Sequence, residues 1–270
     1  MGRWKWPAIA FVMLYLSMEV FVPFIVLLWI SFLPHLQLPS LAALSTVTLE
    51  NYITIPDYAG SRPFINTAIL MFGVPSGAMI LSVMISWVVI RTQVSFRGIL
   101  DTIAFLPHAI PSILVAVSLG YLGLGYQSFF PIYGTVLIIM LAHIINWIAY
   151  GTRATNSVMI QVHRELEEVG KTSGATTPRV LFRIVLPLIA AGIFNSWIWI
   201  GMLSYREVTM ALTLYTRKNV VVSTVVWQFW QNGWVPEVAA LGVVLILFAL
   251  IVVSSLRLAL SRLGEVGSGV

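Results

Sequence analysis

The sequence contains no cysteine and only four histidines. The absence of cysteine excludes disulfides, thiolate metal sites and cysteine nucleophiles. The four histidines are scattered along the chain, which argues against a structural metal site. We therefore expect neither a metal centre nor thiol chemistry in this protein.

Charged residues are also scarce, at 9% of the chain, whereas soluble domains carry about 25%. Hydrophobic residues make up 59%, and the mean hydropathy is +0.94. Because so few charges could not cover a water-facing surface, the apolar excess is expected to face lipid. The net charge of +5 comes from basic residues spread between apolar runs, so no nucleic acid partner is expected.

Six apolar segments approach the length of about 20 residues that an α-helix needs to cross a bilayer. They are residues 8–33, 65–90, 99–124, 132–151, 184–204 and 237–260. None alternates as the strands of a membrane β-barrel do. Backbone groups in hydrocarbon must bond within their own segment. The sequence therefore predicts an all-α membrane protein with six transmembrane helices.

The basic residues predict the orientation of these helices, because cytoplasmic loops carry an excess of Lys and Arg. With a cytoplasmic N-terminus, the inside set is Arg3, Lys5, Arg91, Arg97, Arg153, Arg164, Lys171, Arg179, Arg183, Arg257 and Arg262. The outside set is Arg62, Arg206, Arg217 and Lys218. Both termini are therefore expected in the cytoplasm.

The loops divide the chain into three parts. Residues 1–60 hold the first helix and an outer loop, residues 61–260 form a five-helix transmembrane domain, and residues 261–270 form a cytoplasmic tail. Residues 152–183 are the only sizeable cytoplasmic loop. A nucleotide-binding domain needs well over about a hundred residues, so any ATP hydrolysis is expected on another chain and no enzyme activity on this one.

The cytoplasmic loop has the pattern of two short helices joined by a glycine turn. Residues 154–170 are polar and amphipathic, and Gly174 can adopt the positive φ of a sharp turn. Apolar residues then recur at helical spacing up to Pro187, where the chain returns to the membrane. Such a segment is suited to docking into a groove on a partner.

The spacing of this loop resembles the EAA motif of binding-protein-dependent ABC transporter permeases, the type I importers. The match falls on Glu168-Val169-Gly170, then Gly174, and then Ile184-Val185-Leu186-Pro187. Two residues depart from the motif, since Val169 and Gly170 replace alanines. Glycine at position 170 is expected to cost the docking helix about 1 kcal/mol relative to alanine.

The resemblance implies that this loop is the coupling helix that inserts into a cleft of a separate ATPase subunit. Glu168 would pair with a basic residue of the ATPase, Gly174 would set the turn, and Ala175, Ile184, Leu186 and Pro187 would complete the segment. The alternative is that the acidic residues simply keep the loop soluble. The family also implies an extracytoplasmic binding protein, a second permease half, ATP on the partner only, and the bacterial inner membrane.

Other stretches resemble the iron(III) uptake branch of this family. They are residues 100–111, 205–215 and 223–233. Sulfate, polyamine, thiamine and phosphonate permeases share much of the same pattern. The resemblance implies iron(III) or a related small solute as the cargo, with selectivity in the binding protein.

Five residues are candidates for the solute path or its gate. Asn195 and Ser196 lie within the fifth segment, His108 lies between two prolines of the third, and Arg206 and Glu207 follow the fifth. Each has a structural alternative: polar contacts between helices, a kink at the prolines, or an interfacial charge pair. The same alternative, a bond between helices, is favoured for His143 and Asn146.

A secondary transporter that works without ATP is the competing hypothesis. It would require carboxylates or histidines aligned within the helix bundle, and the sequence shows no such relay. A membrane-embedded enzyme would require a nucleophile with its base, or metal ligands at recognisable spacing. Neither alternative explains the pattern of residues 152–183.

Overall fold

A computed structural model describes residues 4–267, and the side chains of residues 4–259. Within these residues the chain forms helices and connecting turns, and no β-strand. The prediction of an all-helical chain is thus confirmed. In chain order the helices are α1 (Lys5–Ser31), α2 (Leu41–Leu44), α3 (Glu50–Ala59), α4 (Arg62–Arg91), α5 (Arg97–Ala109), α6 (Ser112–Gly125), α7 (Val136–Ile160), α8 (Arg164–Thr172), α9 (Thr177–Tyr205), α10 (Thr209–Thr213), α11 (Val222–Gln231) and α12 (Val235–Gly267).

Five helices of the described chain, α1, α4, α7, α9 and α12, are long and apolar enough to cross a membrane. A sixth span is counted if α5 and α6 are taken together, but these two helices meet at 104°. The span predicted over residues 99–124, where the two prolines predicted a kink, is therefore a pair of helices with a sharp break between them. The break has a local cause: Ile110 precedes Pro111, and a residue before proline is held in extended conformation, here with φ −99° and ψ 126°.

Helix α7 differs from the predicted span 132–151 at both ends. It begins after Thr135, whose Oγ1 accepts a hydrogen bond from the Leu137 N–H (3.2 Å). It continues to Ile160, because Thr152 and Thr155 are buried in the protein. Both residues fall within the predicted loop 152–183. The predicted helix 154–170 is consequently interrupted at residues 161–163, and only α8 stands apart as a short helix.

The helices group into two compact units. Of the described residues, the first contains 4–61 together with Val225–Val252. In it, Asn51 of α3 donates hydrogen bonds to the carbonyls of Ser31 (2.9 Å) and Leu33 (2.8 Å) at the end of α1. These bonds fasten the segment 34–60, predicted as a loop, to the first span.

The second unit contains Arg62–Thr224 and, of the described residues that follow, 253–267. Its larger core lies between α4, α7 and α9 and includes Val74, Ala78, Ile139, Ala142 and Ile200, each at most 1% exposed. A smaller core at the start of α9 consists of Met159, Val180, Val185 and Ile189.

The predicted tail 261–270 begins inside α12, which runs to Gly267, so the helix extends further than the predicted span. Residues 268–270, Arg3 and the side chain of Arg262 lie outside the described part of the chain.

Candidate functional site

The turn between α8 and α9 is built around Gly174. This residue has φ +82°, the positive value expected from the sequence. The Ala175 N–H donates to the Gly170 carbonyl (3.0 Å), and the Gly174 N–H donates to the Lys171 carbonyl (2.9 Å). This pair of bonds is a Schellman motif, which satisfies carbonyls left free at the end of a helix. The direction of the chain between α8 and α9 is therefore fixed by backbone bonds.

Helix α8 has one buried and one exposed face. Only Glu167 and Gly170 are buried in it. Glu168 is exposed, as are Leu166 (46%) and Val169 (63%). An exposed carboxylate between two exposed apolar side chains forms a surface on which a partner can bind by both charge and burial.

Gly170 lies where α8 meets the beginning of α9. A Cβ atom at this position would come within 2.6 Å of Ile184 Cδ1 and 3.4 Å of Val180 Cγ2. The sequence predicts only that Gly170 lowers the stability of the helix relative to alanine. The structure adds that its missing side chain allows α8 to pack closely on Ile184.

The remaining residues of the motif occupy the same region. Ala175 and Leu186 are partly buried against the smaller core. Pro187 is exposed and lies within the continuous helix α9, just after a π-helical turn at Leu181–Val185. Since proline has no N–H to donate, the wider turn before it accommodates a missing helical bond.

A buried ion pair holds the buried face of α8 against the end of α4. The sequence did not predict this pair. Arg91 Nε lies 2.8 Å from Glu167 Oε1, and the two side chains are only 4% and 8% exposed. Arg91 had been counted as a basic loop residue and Glu167 as part of an acidic run. The only sequence signal was a carboxylate on the same face as Gly170, three residues away.

Glu207 lies at the other end of α9, where its carboxylate caps α10. Its Oε1 accepts from the Thr209 N–H (3.0 Å), and its Oε2 accepts from the Met210 (2.9 Å) and Ala211 (3.4 Å) N–H groups. A carboxylate at the start of a helix is favoured by the free amides there. Among the described residues, no ion pair joins Glu207 to Arg206.

The buried His143 of α7 connects this cap to α9. Its Nδ1 is hydrogen-bonded to Ser204 Oγ at 2.7 Å, and its Nε2 lies 3.5 Å from Glu207 Oε2. The predicted role of His143 in a bond between helices is thus confirmed. Ser204 carried no signal in the sequence, since a serine near a helix end is common.

A cavity of about 300 Å³ opens beside Glu207. Its lining includes Asn146, Trp147, Arg206, Glu207 and Ser112, which come from α6, α7 and the segment after α9. Polar groups from three segments thus surround one space. Its volume is at the lower end of the range typical of small-molecule sites, about 300–1,000 Å³.

The other path candidates lie elsewhere. Asn195 is exposed and donates to the Ala191 carbonyl (3.0 Å), and Ser196 is buried and donates to the Gly192 carbonyl (2.9 Å). His108 is exposed next to the Phe105 ring. The structure therefore brings Arg206 and Glu207 to one cavity but does not place Asn195, Ser196 or His108 in its lining.

Within the part of the chain that the structure describes, no group of three or more His, Asp or Glu side chains is placed to bind a metal ion.

Comparison with known families gives a match over most of the chain. Residues 78–264 match the family described as the inner membrane component of binding-protein-dependent transport systems.

Curated relatives match a shorter part. The Fe(3+)-transport system permease protein FbpB 2 of Haemophilus influenzae is 25% identical over 164 residues, which is 60% of this chain and 32% of that protein. The putative 2-aminoethylphosphonate permease PhnV of Salmonella typhimurium is 25% identical over 62% of each chain. The putrescine permease PotI of Escherichia coli is 27% identical over 52% of this chain and 50% of that protein. The chain thus spans less than two thirds of each of these relatives.

Solved structures match most of the chain. A bacterial ABC transporter that imports the acidic polysaccharide alginate aligns with a TM-score of 0.72 at 19% identity, over 96% of both chains. The methionine ABC transporter MetNI aligns with a TM-score of 0.59 at 13% identity, over 76% of this chain and 94% of that one. At such identities the alignments establish a common fold.

Proposed function

The chain belongs to the family of inner membrane components of binding-protein-dependent transport systems, and from this premise we propose that it is the permease subunit of an ATP-driven importer. The family is one of transport permeases rather than enzymes, and the fold is that of ABC importer permeases. In our proposal the chain forms the solute path across a bacterial inner membrane. A separate ATPase supplies the energy, and a second permease half completes the path.

The exposed face of α8 is the observation on which this proposal rests. Glu168, Leu166 and Val169 project from a helix whose opposite face is fixed to the protein by Glu167 and Gly170. A helix held on one side and open on the other can receive a displacement from a partner and pass it on. We assign the ATPase to this face, and we propose that α8 and both termini lie on the cytoplasmic side.

The cavity beside Glu207 is the proposed gate region of the path. Arg206 and Glu207 are two of the charged residues that follow α9, and they share this cavity with Asn146. A binding protein delivering solute from outside would face this end of α9. We take iron(III) as the first cargo to test because residues 100–111, 205–215 and 223–233 resemble iron(III) permeases. A phosphonate and putrescine are the next, since relatives are named for both.

Glu168→Arg is expected to lower the amount of ATPase that co-purifies with the chain about tenfold. Reversing the charge replaces an attraction with a repulsion, and a change of about 1.4 kcal/mol corresponds to a factor of ten in binding. The measurement is co-purification of the tagged chain with the ATPase of its transport system. Glu50→Arg, the same substitution at an exposed carboxylate of α3, is the matched control and should bind ATPase normally. Equal recovery with both variants would contradict the assignment of this face.

Arg206→Ala and Glu207→Ala are expected to act independently of each other. Glu207 bonds to the amides of α10, so its loss should cost about 1 kcal/mol of stability, as at other helix caps. The two residues are neighbours, but no ion pair joins them in the described part of the chain. The loss in the double variant should therefore differ from the sum of the two single losses by less than about 0.5 kcal/mol, the lower bound for side chains that interact. Thermal unfolding of the purified variants measures this sum. A coupling energy well above that value would show that the side chains of Arg206 and Glu207 interact directly, and would contradict this prediction.

A further inference from the structure

The guanidinium of Arg91 joins three segments at one point. Arg91 is the last residue of α4, and its Nε lies 2.8 Å from Glu167 Oε1 of α8. Its Nη2 donates to the carbonyls of Met159 and Val162 at the end of α7, both at 2.8 Å. One side chain therefore holds the ends of α4 and α7 and the inner face of α8.

A second bond fastens α8 to the same helix. Arg164, the first residue of α8, donates from Nη2 to the Ile90 carbonyl at the end of α4 (3.0 Å). With Arg91 and Glu167 this makes two polar links between α8 and the last two residues of α4. Two links at different positions along α8 resist both its displacement and its rotation relative to α4.

An ion pair in this place has no evident advantage for stability alone. Taking two charges out of water is costly, and well-packed apolar residues often replace such a pair without loss. What the pair provides is a defined geometry, because the planar guanidinium fits its acceptors in only a few arrangements. On the same buried face α8 also meets α9 through the close approach of Gly170 to Ile184, an apolar contact that has no such directionality.

From α8, the helix α4 leads to the far end of the unit. It has 30 residues and is therefore about 45 Å long. Near its first residue, Asn66 Nδ2 donates to the Val220 carbonyl (2.8 Å), and Thr67 Oγ1 accepts from the Val222 N–H (2.9 Å). Both ends of α4 are thus fastened by buried or partly buried hydrogen bonds.

The segment held by α4 also contacts Glu207. Ser223 Oγ donates to the Glu207 carbonyl at 2.9 Å. A continuous series of bonds therefore runs from Glu167 through Arg91 and α4 to the residue that caps α10 beside the cavity.

The geometry points to Arg91 and Glu167 as a clamp that makes α8 and α4 move as one rigid body, so that α4 carries a displacement of α8 to Glu207. This inference rests on the proposed function, because the displacement comes from the ATPase. It assigns Arg91 and Glu167 as positioning residues for coupling. It also identifies α4, in addition to α9, as a helix that α8 moves.

Spin labels can test the clamp directly, and the chain has no cysteine to remove. Met84→Cys and Thr172→Cys place one label on an exposed position of α4 and one at the end of α8. The distance between labels is measured by double electron–electron resonance in the complex with its ATPase, with and without a non-hydrolysable ATP analogue. The clamp requires one narrow distance distribution whose mean shifts by less than about 2 Å, the usual size of small helix shifts.

Three variants of the spin-labelled chain are compared with the labelled chain that has no other change. Glu167→Gln keeps the shape of the side chain and removes its charge, and Glu165→Gln is the same change at an exposed position of the same helix. The double variant Arg91→Met with Glu167→Leu leaves no unpaired charge and is expected to fold. We expect wild-type distances for Glu165→Gln. Glu167→Gln and the double variant should show broadened distributions that shift by more than about 2 Å with the analogue.

The possible failures are distinguishable. If the folded double variant keeps the narrow distribution, packing rather than the ion pair fixes α8, and the clamp is refuted. If the unaltered chain shows a shift of several ångströms with the analogue, α8 moves relative to α4, and the clamp is again refuted. If the unaltered chain assembles with no ATPase at all, the proposed function itself fails, and the role of the clamp in transport fails with it.

Discussion

Gly174→Pro is expected to abolish productive assembly with the ATPase, lowering co-purified ATPase activity about a hundredfold. Proline fixes φ near −65°, whereas Gly174 has φ +82°. Proline also removes the N–H that donates to the Lys171 carbonyl. A loss of about 3 kcal/mol or more at this turn corresponds to a factor of about one hundred. The end of α8 would unravel, and its exposed face would no longer be presented in one orientation.

Gly60→Pro is the matched control for this experiment. Gly60 also has positive φ (+68°), and its N–H also donates to a helix carbonyl, that of Pro56, at 2.9 Å. The backbone damage is therefore comparable, but it falls in the segment that links α3 to α4. We expect this variant to retain its ATPase. Equal loss in both variants would mean that the effect is one of folding, and normal recovery with Gly174→Pro would contradict the docking role of the turn.

Gly201→Val is expected to have the largest effect on folding. A Cβ at this position would lie 2.8 Å from the backbone carbonyl oxygen of Met71, an atom that cannot rotate away. In an α-helix the partner of that carbonyl would be the N–H of residue 75, which is Pro75 and has none. This oxygen, which lacks its usual helical partner, lies directly against Gly201 where α4 and α9 cross. Separating the helices to fit valine should cost about 3 kcal/mol, the upper part of the range for overpacked cores.

Thermal unfolding of the purified chain in detergent measures this cost. Gly98→Val provides the control, because a Cβ at Gly98 of α5 would have no atom within 4 Å. That variant should be as stable as the unaltered chain, since valine also favours a helix slightly more than glycine does. A stable Gly201→Val protein would show that the two helices can separate without loss.

Much of the architecture could be predicted from hydropathy and spacing. Long apolar segments must be helical in a bilayer because their backbone groups have no other partners. This requirement was enough to predict the all-helical chain and the approximate position of each span, but not the helix ends. Likewise, the positive φ of Gly174 follows from local rules, because a glycine after an amphipathic helix commonly ends it. The motif around Glu168 was also visible, since its spacing lies within one segment of the sequence.

The third span shows where such local rules stop. The prolines at 107 and 111 indicated a disturbance of the helix. They did not determine the angle of 104° between α5 and α6, because the direction after a break depends on what each half packs against.

The polar contacts of the site were decided only by the tertiary structure. Arg91 pairs with Glu167, His143 bonds Ser204 and approaches Glu207, and each contact joins segments far apart in the sequence. The Met71 carbonyl and Gly201 are likewise brought together only by the crossing of two helices.

The physical reason lies in the membrane environment. Lipid tails are as apolar as a leucine side chain, so apolar residues facing lipid and apolar residues facing the core have the same hydropathy. The sequence by itself therefore determined which segments are membrane helices and where one turn had to be glycine. Which face of each helix is buried, and hence which of its few charges meet, depends on the packing of the helices.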